Sequence, residues 1–287
     1  MTPFVRPMRH AERFREMIHR TTGIHLPEAK DGMIETRLRA RVAALGLPGV
    51  EAYFRHLFEE GGLHAEMSRI VELVTTNKTD FFREPAHYDL LRTRLIPEAR
   101  RHRTGGRRTP FKVWSAAAST GAEAWSAAMI LAAAQDRDPD FEWAVLGTDI
   151  SHRVLETARR AIYPEAELAP VPPELRDRYA MRGRGPKGAS LRRIVPPLRA
   201  RVRFAELNLI DMPYSLDRDL DVIFLRNVLI YFDAPTQGRV VAAMAEHLRP
   251  GGHLVVGHSE SMIVRAPGLH PVAPAVYQRA LEGEGCP

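Results

Sequence analysis

Residues whose types and spacing could hold a ligand gather at a few ends of predicted elements. Val113-Trp-Ser-Ala-Ala-Ala-Ser-Thr-Gly121 sets small side chains between a predicted strand and a helix opening near Gly121. Such a loop lets backbone approach a ligand and presents free amide donors, although a tight structural turn has the same spacing. Asp149 closes the next predicted strand in Val145-Leu-Gly-Thr-Asp149. An acid there can accept both hydroxyl hydrogens of a ribose, or it can cap the helix entered through Ser151. Glu123 in the first turn after Gly121 suits the helix dipole, and it equally suits the cationic part of a cofactor. Asn208 and Asn227 each follow a predicted strand, where ligand contacts collect in an open parallel sheet and where turns also need asparagine.

A further segment, Thr75-Thr-Asn-Lys-Thr-Asp-Phe-Phe-Arg83, concentrates an amide, hydroxyls, two aromatics and an arginine at a change in the chain's pattern. A ligand-holding loop is one reading. Phe81 and Phe82 as the plug between domains, with Thr79 as a helix cap, is the other. Arg37, Arg39 and Arg41 crowd one predicted helix whose buried stripe is Ile34, Leu38 and Val42. Between Arg176 and Arg203 there are ten basic residues against one acid, Asp177. Either region could steer an acidic partner, or be solvated surface.

The elements needed to position these residues fall into two patterns. Residues 10 to 80 carry helical periodicity through Phe14, Met17 and Ile18, then Leu45 after the Ile34 stripe, then Tyr53, Phe54 and Leu57, then Met67, Ile70, Val71 and Val74. Pro85 opens a helix through Leu90, Leu91 and Leu95, and the polar segment Arg100 to Pro110 connects onward. From Phe111 strands and helices alternate. Strands are predicted at 111–116, 143–147, 202–205, 220–225, 253–256 and 275–278. Helices are predicted at 121–134, at 151–162 and through Val240, Met244 and Leu248. This is an α/β pattern with a mostly parallel sheet. Pro164 to Pro197 follows no single period and reads as an inserted subdomain or lid.

Composition narrows the classes. The 287 residues carry a net charge of +6, 45% hydrophobic and 26% charged residues, as a folded protein does. Four of the 41 basic residues are lysines, so the excess is arginine. A lone cysteine, Cys286, excludes a disulfide framework and a thiolate metal site, and no metal ligand set is expected. The start, Met-Thr-Pro-Phe, lacks an apolar signal run, and no stretch approaches the roughly 20 apolar residues that span a bilayer. A reduced, cytoplasmic protein without direct membrane insertion is the expectation. Nucleic acid is disfavoured, since neither a zinc-finger cysteine set nor aromatic-basic interleaving is present. With no coiled-coil heptad, a monomer is expected.

Together these segments resemble the chemotaxis receptor glutamate O-methyltransferase family, abbreviated CheR. The likeness covers nearly the whole chain. It rests on 75–83, Trp114 to Gly121, Thr148-Asp-Ile150, Tyr179 with Met181-Arg-Gly183, Asn208-Leu209, Phe224 with Arg226-Asn-Val-Leu-Ile-Tyr-Phe-Asp233, and Gly257-His-Ser-Glu-Ser261. Where the family commonly reads Gly-Glu-Glu-Pro-Tyr-Ser, this chain has Gly121-Ala-Glu-Ala-Trp-Ser126 and keeps the second acid. Leu225 replaces a frequent cysteine, and Ala180 a frequent aromatic.

The resemblance implies a helical N-terminal domain (1–85) and a doubly wound, Rossmann-like class I methyltransferase domain (86–287). It also implies a small inserted antiparallel β subdomain (164–197). S-adenosylmethionine is the implied cofactor and S-adenosylhomocysteine the product. Asn77, Thr79, Arg83, Glu123, Asp149, Asn208 and Leu209 become cofactor contacts, with Asn227 nearby, and Arg83 and Tyr231 lie by the transferring methyl. The implied partners are the cytoplasmic domains of membrane-bound chemoreceptors. Arg37, Arg39 and Arg41 map to the helix associated with the methylated receptor helices. Tyr179, Arg182 and Gly183 map to the insert that, in some members, grips a tethering peptide at the receptor's C-terminus. A methyltransferase acting on RNA or another protein, and a cofactor-binding scaffold without catalysis, are the alternatives. The reading requires Asn77, Glu123 and Asp149 to gather in one place.

Overall fold

The computed structural model describes residues 10–102 and 109–281, and Cys286, the start of the chain and the middle of the 100–110 segment lie outside them. The described chain forms two compact units, one comprising residues up to Thr76 together with Tyr231–Thr236, the other Asn77–Ile230 and the residues from Gln237 onward.

The first unit is built from α1 (His10–Thr22), α2 (Asp31–Ala44), α3 (Val50–Phe58) and α4 (Leu63–Val74). Phe14 and Ile18, Ile34, Leu38 and Val42, and Tyr53, Phe54 and Leu57 meet Ile70 and Val74 in one apolar core. These are the residues spaced three and four apart, so the helical period alone selects most of them. Within α4 the stripe departs from expectation: Glu66 is buried at 4% exposure, whereas Met67 is half-buried. The acid can be buried because Arg41 donates to both of its oxygens and the Tyr53 hydroxyl donates to Oε2 at 3.0 Å.

The second unit opens with α5 (Pro85–Leu90), a π-helical turn at Leu91–Leu95 and α6 (Ile96–His102). It continues through β1 (Phe111–Ala116), α7 (Ala122–Gln135), β2 (Trp143–Asp149) and α8 (His152–Arg160). Then come β3 (Ile162–Pro164), α9 (Pro173–Tyr179), β4 (Ala180–Arg184), β5 (Ser190–Ile194), α10 (Pro196–Arg201) and β6 (Val202–Glu206). The last elements are β7 (Leu220–Leu225), α11 (Ala234–His247), β8 (Leu248–Val256), β9 (Leu269–Ala273) and β10 (Val276–Arg279).

The main sheet has seven strands in the order β6-β2-β1-β7-β8-β10-β9. Its first five pair in parallel, and β10 runs antiparallel to both β8 and β9. All six residues of β7 are buried, as a central parallel strand demands. From the central pair the chain leaves in opposite directions, β1 through α7 to β2 and β7 through α11 to β8. The carboxyl ends of β1 and β7 therefore diverge, which opens a ligand cleft in sheets of this kind. α7 is apolar almost all round, with Ala122 through Ala132 buried, so it serves as the central helix against the sheet.

Between α8 and β6 lies the expected insert, a three-stranded antiparallel sheet in the order β3-β5-β4. The sequence pattern missed α9, α10 and β9, ran the α8 helix on to Ile162, which begins β3, and extended the α11 period through Leu248. In the structure α11 stops at His247 and Leu248 begins β8, because Leu248 pairs with Leu220 of the neighbouring strand. Strand pairing overrides a helical period that an apolar residue satisfies equally well.

Candidate functional site

The loop after β1 is bent into an unusual path. Ala117 and Ser119 have φ of 58° and 50°, and Gly121 has φ of 88°. Left-handed backbone at two residues with a Cβ stores strain that the surroundings must hold. Part of the hold is Asp149 at the end of β2, which accepts the Ser119 amide at 2.8 Å through Oδ2 and the Ser151 amide at 2.9 Å through Oδ1. Asp149 thus organises the entry to α8, one of its two expected roles, and binds the β1 loop besides. The two carboxylate oxygens offer about four lone-pair sites and three amides reach them, so some acceptor capacity remains. Burial raises the Asp149 pKa, and the amides of Ser151, Ser119 and Ile150 pull it back.

The segment from Asn77 joins the same loop. The Ser119 hydroxyl donates to the Asn77 carbonyl at 2.7 Å. Farther along, the Phe82 amide donates to Ser126 Oγ on α7 at 2.9 Å. Phe81 and Phe82 are buried in the core of this unit, with Phe81 edge-on to Tyr163 at a centroid distance of 5.0 Å. Arg83 is half-buried, and its Nη1 donates to the Lys78 carbonyl at 3.4 Å; Thr79 is half-buried too.

Glu123 is buried at the start of α7. Ser115 Oγ donates to its Oε1 at 2.7 Å, and Arg226 Nη1 to its Oε2 at 3.1 Å. Arg226 follows β7, its side chain 2% exposed, and it also donates to the Arg83 carbonyl and lies 3.2 Å from Glu84 Oε2. Burial raises the Glu123 pKa against the pull of Arg226 and Ser115. Burial works on Glu84 in the same sense, but the positive charges of Arg226, His87 and His258 outweigh it and hold Glu84 below its ordinary value.

Asn208 and Leu209 follow β6 and connect to Asp149, since the Leu207 amide donates to the Asp149 carbonyl at 3.0 Å. Asn208 Oδ1 accepts the Ile210 amide at 3.4 Å, and the Leu209 carbonyl accepts the Tyr214 hydroxyl at 2.7 Å. Asn227 has φ of 59°. Its amide donates to Glu260 Oε2 at 2.7 Å, and the Gly257 amide donates to the same oxygen at 2.8 Å. A Cβ at Gly257 would stand 2.6 Å from Asn227 Nδ2 and 2.8 Å from Glu260 Oε2, so a side chain there would displace these groups. Asn77, Glu123 and Asp149 therefore all attach to one stretch, Ser115 to Glu123, at the carboxyl ends of the central strands.

Two family models divide the chain between them. The CheR methyltransferase all-alpha domain matches residues 9–75, and the CheR methyltransferase SAM binding domain matches residues 77–274. The chain belongs to the CheR methyltransferase family. It is 39% identical over 270 residues to chemotaxis protein methyltransferase 2 of Pseudomonas aeruginosa, covering 94% of this chain and 92% of that protein. It is 40% identical over 252 residues to the chemotaxis protein methyltransferase of Escherichia coli, covering 88% and 84% of the two chains.

As a CheR-family methyltransferase the protein uses S-adenosylmethionine as its cofactor. The donor chemistry at the strand ends fits that molecule. Asp149 retains acceptor capacity for vicinal hydroxyls, and the Ala116-Ala-Ala118 run leaves the loop free of bulky side chains.

The remaining residues singled out from the sequence are placed less uniformly. Tyr231 belongs to the first unit, where its carbonyl accepts the His25 amide at 2.7 Å. Arg37 Nη1 donates to the Val74 carbonyl at 2.7 Å and Nη2 to Thr76 Oγ1 at 3.0 Å, closing the end of α4; Arg41 holds Glu66. Arg39 is exposed. Tyr179 is buried, its hydroxyl donating to Asp136, while Arg182 and Gly183 are exposed on β4, at the edge of the small sheet. Ser115, Ser119 and Arg226 join the site without having been proposed for it. An arginine directly after the apolar run Val222 to Leu225 was the one sequence signal available.

Proposed function

We propose that this protein transfers the methyl group of S-adenosylmethionine to glutamate side chains on the cytoplasmic helices of methyl-accepting chemoreceptors. The products are glutamate methyl esters and S-adenosylhomocysteine. The observation that carries the reading is the hydrogen-bonded continuity of Asn77, Ser119 and Asp149, with Glu123 on the same loop, in a chain of this family.

Asp149 receives the ribose hydroxyls, and Asn77, Thr79, Glu123, Asn208, Leu209 and Asn227 complete the cofactor's surroundings. The cofactor supplies a methyl group made electrophilic by a sulfonium. A receptor glutamate is already ionised at neutral pH, its ordinary pKa being about 4.3, so the protein need not provide a general base. Its residues instead align the carboxylate and exclude water. Arg83 orients a carboxylate, and Tyr231 shapes the approach by its ring and hydroxyl. Arg39 faces the receptor helices, and Arg182 and Gly183 on the edge strand β4 offer the receptor's C-terminal tether a backbone to pair with. The reaction is cytoplasmic, at receptor arrays. Among the described residues no helix is long and apolar enough to cross a membrane.

Receptor fragments incubated with methyl-labelled S-adenosylmethionine and the protein acquire base-labile label, and Asp149→Ala abolishes it. Label that survives base, or that enters RNA and not the receptor, would overturn the substrate assignment.

A further inference from the structure

The Arg226 network runs into a group of side chains that neither cofactor nor receptor explains. Glu84 sits at the N-terminus of α5 with left-handed backbone (φ 55°), His87 lies in the first turn of that helix, and His258 follows β8. Nδ1 of His87 is 3.3 Å and Nδ1 of His258 3.2 Å from one atom, Glu84 Oε2. The three donor atoms all lie within 4.8 Å of one another. Neither short approach has hydrogen-bond geometry. Glu84 Oε2 and both ring nitrogens of His87 are buried without a hydrogen-bond partner, His87 being 3% exposed. Buried polar atoms are ordinarily paired, so a carboxylate oxygen and an imidazole converging unpaired call for a shared ligand.

We infer that Glu84, His87 and His258 form a binding site for a divalent transition cation of the zinc class. Two imidazoles and a carboxylate select a borderline cation over magnesium or calcium, which prefer oxygen donors. Zinc holds such donors at about 2.0–2.2 Å, which in a tetrahedron separates them by about 3.3–3.5 Å. The two approaches to Glu84 Oε2, 3.3 and 3.2 Å, lie close to that span. His258, its side chain 57% exposed, provides the entry path and leaves a fourth position open to solvent. Arg226 Nη2 also lies 3.2 Å from Glu84 Oε2, but the guanidinium keeps Glu123 and the Arg83 carbonyl as partners. Two carboxylates against one guanidinium leave a net negative charge for the cation.

The test uses the full-length, tag-free protein stripped with a chelator and titrated with Co²⁺ as a visible probe. A saturable tetrahedral Co²⁺ absorption band at one equivalent, displaced by Zn²⁺, is expected. His258→Ala, at an exposed position, and Glu84→Gln should each weaken it by at least about tenfold. His64→Ala, on α4 and outside the cluster, should leave it unchanged. No saturable band, or a band equally strong in the His258 and Glu84 variants, would overturn the site.

Discussion

Two arginines, Arg41 on α2 and Arg226 after β7, each meet a buried glutamate and a tyrosine, yet the two groups are finished differently. Around Arg41 everything is paired: Glu66 accepts from the guanidinium through both oxygens and from the Tyr53 hydroxyl at 3.0 Å. Around Arg226 the pairing stops short, with Arg226 Nε and Glu84 Oε2 among the buried atoms lacking hydrogen bonds. The backbone beside it is left-handed at Phe82, Glu84 and Asn227. A closed network is what holding helices together requires. An incompletely satisfied one, flanked by strained backbone at the ends of parallel strands, is where ligands are met. Residue type does not separate scaffold from site here; saturation of the hydrogen bonds does.

The comparison can be broken first at its larger member. Arg226→Ala leaves Glu123 and Glu84 without their cation and should cost about 3–5 kcal/mol in denaturant unfolding. A loss below that of Arg41→Ala would refute the ranking. Arg41→Ala strands one acid, Glu66, and should cost about 1–3 kcal/mol while leaving S-adenosylmethionine affinity within about twofold, as calorimetry would show.

Acidity sharpens the contrast further, because the two acids shift in opposite directions. Hydrogen bonding from Arg41 lowers Glu66 below its ordinary 4.5, so its contribution is complete above that value and is lost as pH falls through the folded pKa. Burial raises Glu123 above 4.5, so stability declines as pH climbs from 4.5 through the raised folded value. The stability difference between wild type and Glu66→Gln should therefore shrink on acidification, and that between wild type and Glu123→Gln should shrink on alkalinisation. Parallel pH profiles for the two pairs would contradict these directions. The smallest effect is expected at Arg39. Replacing it by alanine should raise the KM for receptor fragments by about two- to fivefold with kcat unchanged, as befits an exposed steering charge.

Much of this was legible without coordinates. The period of Ile34, Leu38 and Val42 fixed the buried face of α2, and the largely apolar segment 220–225, broken only at Asp221, identified a central strand. The motifs from Thr75 to Ser261 resemble those of the family in residue type and order, and several of them lie at strand ends. What stayed hidden was which charges turn inward. Arg37 and Arg41 read as surface, since a helix's polar face looks the same whether it meets water or the end of another helix. Glu84 and His87 are near neighbours in sequence, but His258 joins them from the far side of the sheet's construction, and only the pairing of β7 with β8 brings it there. Local spacing dictates helices, strands and the residues that cap them, because those interactions span a few positions. Hydrogen-bond partners for the buried charges of Glu66 and Arg226 come from 13 to 143 residues away, and tertiary packing decides who they are.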